Sequence, residues 1–162
     1  MAGSDEAARR VLEACKDAGL MLATAESCTG GMVFAALTDI PGSSAVMERG
    51  FVTYTNRAKA EMLGVPGAVL AEHGAVSEPV ARAMAEGALA HSPADIAVAI
   101  TGVAGPGGGT ERKPEGLVHF ACALRGRATE TRRVEFGAIG RGPVRTASVL
   151  EALAMLERAA RA

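Results

Sequence analysis

Leu20-Met21-Leu22-Ala23-Thr24-Ala25-Glu26-Ser27-Cys28-Thr29-Gly30-Gly31 runs from an apolar stretch of strand length, through a short polar turn, into paired glycines. Residues 20–25 read as a short buried strand. Thr29-Gly30-Gly31 opens a helix that continues through Leu37 and closes before Pro41-Gly42. A buried strand feeding a helix is the repeating unit of an α/β protein.

Upstream, Ser4 is placed to cap a helix reaching Ala18, with Ala8, Val11, Leu12 and Cys15 on one face and Gly19 at its end. Downstream, residues 46–53 read as a strand ending at Tyr54, and Thr55 or Asn56 can cap a helix over residues 57–63. A loop or short helix follows Pro66. Ser77-Glu78-Pro79 starts a helix reaching His91, and residues 95–101 form a continuous apolar strand. Residues 102–114 are too rich in Gly and Pro for regular structure. Residues 117–124 and 129–136 pair as a hairpin about Arg125-Gly126-Arg127, and a last helix begins after Gly140 or Gly142, with Pro143 in its first turn. This order predicts one domain spanning residues 1–162, an α/β fold built as a three-layer α/β/α sandwich with a mixed, mostly parallel sheet.

The chain has 162 residues, 49% hydrophobic and 22% charged, with a formal net charge of -1. A chain of this size buries roughly 68–70% of its unfolded surface, enough for a core without metal or disulfide staples. The near-neutral balance argues against a nucleic-acid partner. No stretch approaches the length of a membrane span, and nothing resembles an export signal. Cys15, Cys28 and Cys122 are an odd number at no metal-like spacing, which points to the reducing cytoplasm. Lys16, Lys59 and Lys113 are the only lysines in a chain that prefers arginine, and a buried lysine can lose its proton where arginine cannot.

Four stretches can carry chemistry. The first is residues 24–31, where Ser27 leaves a strand's carboxyl end and the amides of Thr29, Gly30 and Gly31 offer an oxyanion or phosphate site. The alternative is that Ser27 caps the helix and the glycines relieve packing. The second joins Tyr54 to Lys59 across a strand-to-helix turn. A serine with a neutral lysine is a known nucleophile and base pair, whereas a solvated lysine beside a half-buried tyrosine is the plain alternative. The third, residues 101–110, brings Thr101, Gly102, Gly105 and Gly107 to a strand end, where backbone can wrap a polar ligand. It fits neither a dinucleotide fingerprint nor a phosphate loop closed by Gly-Lys-Ser/Thr. In the fourth, Arg141 and Arg145 lie four residues apart at a helix start and make an anion clamp, unless they pair with surface carboxylates. His73, His91 and His119 are isolated from one another, and no metal site assembles from them.

Taken together, Ala25-Glu26-Ser27-Cys28-Thr29-Gly30-Gly31, residues 54–59, Thr101-Gly102-Val103-Ala104-Gly105-Pro106-Gly107-Gly108, Lys113-Pro114-Glu115-Gly116 and the Arg141/Arg145 pair resemble the C-terminal domain of the competence/damage-inducible proteins. That family also occurs as a stand-alone nicotinamide mononucleotide amidohydrolase, and the resemblance, covering residues 11–156, is to that form. It implies hydrolysis of the carboxamide of nicotinamide mononucleotide to nicotinic acid mononucleotide and ammonia, in pyridine nucleotide salvage. Carried over, Ser27 is the nucleophile, Lys59 its base and Tyr54 a third polar participant. Thr29, Gly30, Gly31, Thr101, Gly102, Gly105 and Gly107 line the substrate site, and Arg141 with Arg145 binds the phosphate. The implied partner is a small-molecule nucleotide. No cofactor or metal, no nucleic acid and no membrane are expected, and the chain is expected to form a homo-oligomer, dimer or larger. Competing readings are a non-catalytic nucleotide-binding or partner-binding domain, which would bind without forming product, and a magnesium-dependent phosphoryl-transfer enzyme.

Overall fold

The computed structural model describes residues 2–162. Six helices, α1 (Ala2–Ala18), α2 (Met32–Thr38), α3 (Asn56–Leu63), α4 (Gly67–His73), α5 (Glu78–Ala90) and α6 (Arg141–Arg161), flank five strands: β1 (Leu22–Glu26), β2 (Met47–Val52), β3 (Ile96–Gly102), β4 (Leu117–Leu124) and β5 (Glu130–Glu135). The strands form one sheet in the order β2-β1-β3-β4-β5. β1 runs parallel to β2 and β3, whereas β4 runs antiparallel to β3 and β5. This is the expected α/β/α sandwich on a mixed sheet. Parallel and antiparallel neighbours are equal in number, because residues 103–116 turn the chain straight back along β4 instead of crossing over through a helix.

Alternation along the strands sorts the core into two unlike halves. Leu22 on β1, Ile96, Val98 and Ile100 on β3, and Val118 and Phe120 on β4 pack with residues of α1, α2 and α6, including Val11, Leu37 and Leu153. The other face is nearly all alanine. Ala23, Ala97 and Ala123 align across three strands, as do Ala25, Ala99 and Ala121, and they meet Leu63 of α3, Leu70 of α4 and Val80, Met84 and Ala85 of α5. Short side chains let α5 settle close to the sheet, which accounts for a core with so few aromatic residues.

Helix signals are honoured at most ends. Thr55 caps α3 by accepting from the Ala58 amide at 3.0 Å, and Ser77 caps α5 by accepting from Val80. Ser4 does not cap α1: it lies within the helix, which begins at Ala2, and is buried. The strand expected to end at Tyr54 stops at Val52. The chain leaving β1 goes to the α2 face and that leaving β2 to the α3 face. A crevice therefore opens at the carboxyl ends of the central strands, where ligands bind in open α/β sheets. Among the described residues no helix is long and apolar enough to cross a membrane.

Candidate active site

Beyond Ala23 and Ala25, the next residue of β1's alanine face is Ser27; beyond Ala97 and Ala99, the next on β3 is Thr101. The alanine rows thus end in a polar row at the crevice. The sheet ladder reaches past β1 to hold Ser27 there: its amide donates to the Ile100 carbonyl at 3.0 Å, and the Thr53 amide donates to the Glu26 carbonyl at 2.8 Å.

Lys59, from the first turns of α3, meets Ser27. Its Nζ donates to Ser27 Oγ at 3.0 Å and to the carbonyls of Thr53 at 2.9 Å and Tyr54 at 3.1 Å. Only 1% of Lys59 is exposed, and among the described residues no carboxylate forms an ion pair with it. Burial pushes its pKa below the ordinary lysine value. The two carbonyls take two of the Nζ protons. When the amine is neutral, the remaining tetrahedral position is a lone pair facing the serine hydroxyl. That is a nucleophile paired with a base.

Glu26 holds the adjoining turn from inside. Its fully buried carboxylate accepts from Thr29 Oγ1 at 2.6 Å, Val33 N at 2.9 Å and Phe34 N at 3.1 Å. The amides that open α2 are therefore satisfied within the protein rather than free for a ligand. The Gly30 amide also turns inward, donating to the Ser27 carbonyl at 3.0 Å. Glu26 has a recognisable signal, an acid at a strand end just before a helix, but sequence reasoning gave it no task.

A cavity of about 180 Å³ opens over the pair, and Ser27, Cys28, Tyr54, Lys59, Thr101, Gly102 and Arg141 all line it. Thr101 Oγ1 donates to the Ala75 carbonyl at 2.9 Å, tying β3 to the segment before α5. Gly102 is required by packing, since a Cβ there would sit 2.7 Å from Val118 Cγ2 and 2.8 Å from the Leu117 carbonyl oxygen. Arg141 donates to the Gly105 carbonyl at 2.9 Å and to the Tyr54 hydroxyl at 3.2 Å, so the exposed tyrosine ring stands at the mouth. Cys28 is no rival nucleophile, because burial pushes its thiol up to about 11.

Several predicted residues lie elsewhere. Thr29, Gly30, Gly31, Gly105 and Gly107 do not line the cavity. The glycine loop folds on its own Glu115, which accepts from the Gly107 amide at 2.6 Å. Arg145 is not beside Arg141 but under the turn after Ser27, donating to the carbonyls of Cys28 at 3.0 Å and Thr29 at 3.4 Å. Ala75, Val76 and Ala104 complete the wall; being apolar, they gave no signal in the sequence. Among the described residues, no three His, Cys, Asp or Glu side chains gather as a metal would need. A hollow of about 210 Å³ beside α1 carries Arg9, Glu13 and Lys16 but no nucleophile.

The profile of the CinA C-terminal domain family matches residues 4–160. The chain belongs to that family. It is 62% identical to a CinA-like protein of Akkermansia muciniphila over 69% of this chain and 27% of the relative, and 55% identical to one of Syntrophus aciditrophicus over 86% and 33%. It thus spans about a third of the length of the curated relatives it matches. Among solved structures, the competence/damage-inducible protein of Agrobacterium tumefaciens superposes with a TM-score of 0.95 at 52% identity, covering 98% of this chain and 96% of that one. A CinA superfamily protein of Klebsiella pneumoniae gives 0.91 at 40% identity, covering 97% of each. Against this CinA fold, the cavity lies on the crevice between the two helical layers.

Proposed function

We propose that this CinA-family chain is an amidohydrolase that converts nicotinamide mononucleotide to nicotinic acid mononucleotide and ammonia, in cytoplasmic pyridine nucleotide salvage. The observation that carries the reading is the buried Lys59–Ser27 hydrogen bond of 3.0 Å, with both other Nζ donors held by backbone carbonyls. Neutral Lys59 takes the Ser27 proton as Oγ bonds to the carboxamide carbon. The oxyanion collapses, the C–N bond breaks and protonated Lys59 gives its proton to the departing ammonia. An ester on Ser27 remains. Water attacks it as Lys59 takes a proton, the ester C–O bond breaks, and the proton returns to Ser27. Tyr54 serves through its carbonyl, which fixes Lys59, while its phenol and Arg141 flank the mouth, where the guanidinium meets the substrate phosphate.

The test incubates purified protein with nicotinamide mononucleotide, without added metal, and measures ammonia and the acid product. Turnover in the wild type, abolished in Ser27→Ala and Lys59→Ala with unchanged circular dichroism, is expected. A wild type that releases no ammonia at any pH from 6 to 10 defeats the amidase reading.

A further inference from the structure

Arg145 sits one helical turn beyond Arg141 on α6, yet the two side chains part. Arg141 goes to the cavity mouth, whereas Arg145 goes beneath the turn that carries the nucleophile. Its Nε–H donates to the Cys28 carbonyl at 3.0 Å and its Nη2–H to the Thr29 carbonyl at 3.4 Å. The fit is close: Gly30 adopts φ +57°, and a Cβ on it would lie 3.2 Å from the Arg145 guanidinium.

A planar trans peptide points its N–H opposite to its C=O. Gripping the Cys28 carbonyl therefore turns the Thr29 N–H away from Arg145, and gripping the Thr29 carbonyl turns the Gly30 N–H away as well. The second of these amides closes the turn on the Ser27 carbonyl at 3.0 Å. The Cys28 amide meets its own thiol, holding the thiol pKa down against the larger effect of burial. The backbone directly after the nucleophile is thus tied at two carbonyls by Arg145 and at the Gly30 amide by the Ser27 carbonyl. From the opposite side the Glu26 carboxylate takes Thr29 Oγ1 at 2.6 Å.

We infer that Arg145 is a positioning residue, one jaw of a clamp with Glu26 that fixes Ser27 and the turn after it in reacting geometry, rather than a phosphate ligand. The inference rests on the amidase reading for its catalytic consequence and on the turn geometry alone for the clamp. Lysine in place of Arg145 brings a single donor nitrogen on a flexible stem, where the guanidinium offers two nitrogens in a fixed planar fork.

The experiment compares wild type, Arg145→Gln and Arg145→Lys. Hydrogen–deuterium exchange of the peptide covering residues 27–31 should speed up about tenfold or more in Arg145→Gln and less in Arg145→Lys, while other peptides stay protected. Unchanged exchange overturns the clamp, whether or not nicotinamide mononucleotide is turned over. With turnover in the wild type, kcat should fall roughly tenfold to a hundredfold in Arg145→Gln and be partly restored in Arg145→Lys. The Kd for nicotinic acid mononucleotide, by calorimetry, should stay within about twofold, because a positioning role leaves ground-state binding in place. A Kd weakened tenfold with kcat intact would make Arg145 a phosphate ligand and sink the inference. If Arg145→Gln does not fold, Arg145→Lys carries both readouts against wild type. No turnover in the wild type refutes the amidase reading, and exchange then decides the clamp.

Discussion

Lys59 is a buried lysine with no carboxylate partner among the described residues, in a protein that otherwise prefers arginine. Burial lowers its pKa, so the folded protein reaches the neutral amine at a lower pH than the unfolded chain does. The sign for activity follows: kcat/KM should rise with pH through an apparent pKa below the ordinary lysine value and level off above it. Lys59→Arg keeps a cation that never releases its proton at these pH values, so kcat should fall about a thousandfold or more across the whole range. A pH–rate profile of both proteins checks this; an arginine variant within tenfold of wild type would remove the base from Lys59. Stability follows the same sign. Between the lowered folded pKa and the ordinary unfolded one, the unfolded chain binds more protons, so Lys59 makes the fold more stable as pH rises through that window. Its identity was legible because lysine is scarce here and stands five residues after the only tyrosine. Its partners were not, since backbone carbonyls leave no mark on sequence.

At the scale of elements, the site depends on how closely α3 lies on α5. Gly87 of α5 faces the end of α3, and a Cβ there would fall 2.1 Å from the Leu63 carbonyl oxygen. Backbone cannot give way cheaply. Gly87→Ala gains about 1 kcal/mol of helix propensity, but relieving the clash must shift α3, and overpacking of this kind costs about 1–3 kcal/mol or more. The variant should lose Tm and also kcat, because Lys59 rides on α3. Gly67→Ala, at the start of α4 with open space around it, should hold or slightly raise Tm and leave kcat unchanged. Equal Tm values for the two variants, by scanning calorimetry, would contradict the close α3–α5 contact. Elements of this kind were well marked in the sequence wherever a side chain does local work, as Thr55 and Ser77 do. They were misread at Ser4, where a capping type of residue sits inside a helix, and at Gly30 and Gly31. These glycines read as a ligand cradle but form the turn between Ser27 and α2.

At the scale of the whole molecule, the two faces of the sheet contribute differently to the site. The α3–α5 layer supplies Lys59 and the wall at Ala75 and Val76, while α1 supplies no cavity residue. Overall class and layering were readable from the alternation of strands and helices. The equal share of antiparallel pairing was not, because a glycine loop that returns along the sheet looks like any ligand-binding loop. This asymmetry allows stability and activity to be separated. Ala99 lies in the middle of a row with Ala25 and Ala121, under α5 and two residues before Thr101. Ala99→Leu would push that layer outward, costing about 1–3 kcal/mol, and should lower kcat at least tenfold even at temperatures where the variant is fully folded. Val11→Ala, fully buried on α1, removes two methyl groups for about 1–2 kcal/mol, with a cavity left behind. It should lower Tm comparably and leave kcat within twofold. The pair is measured by Tm and by initial rates at 25 °C. If Val11→Ala cuts kcat as deeply as Ala99→Leu, the site's geometry depends on α1 as much as on the alanine face, because loosening α1 would then disturb α6 with Arg141 and Arg145, or Ser27 itself.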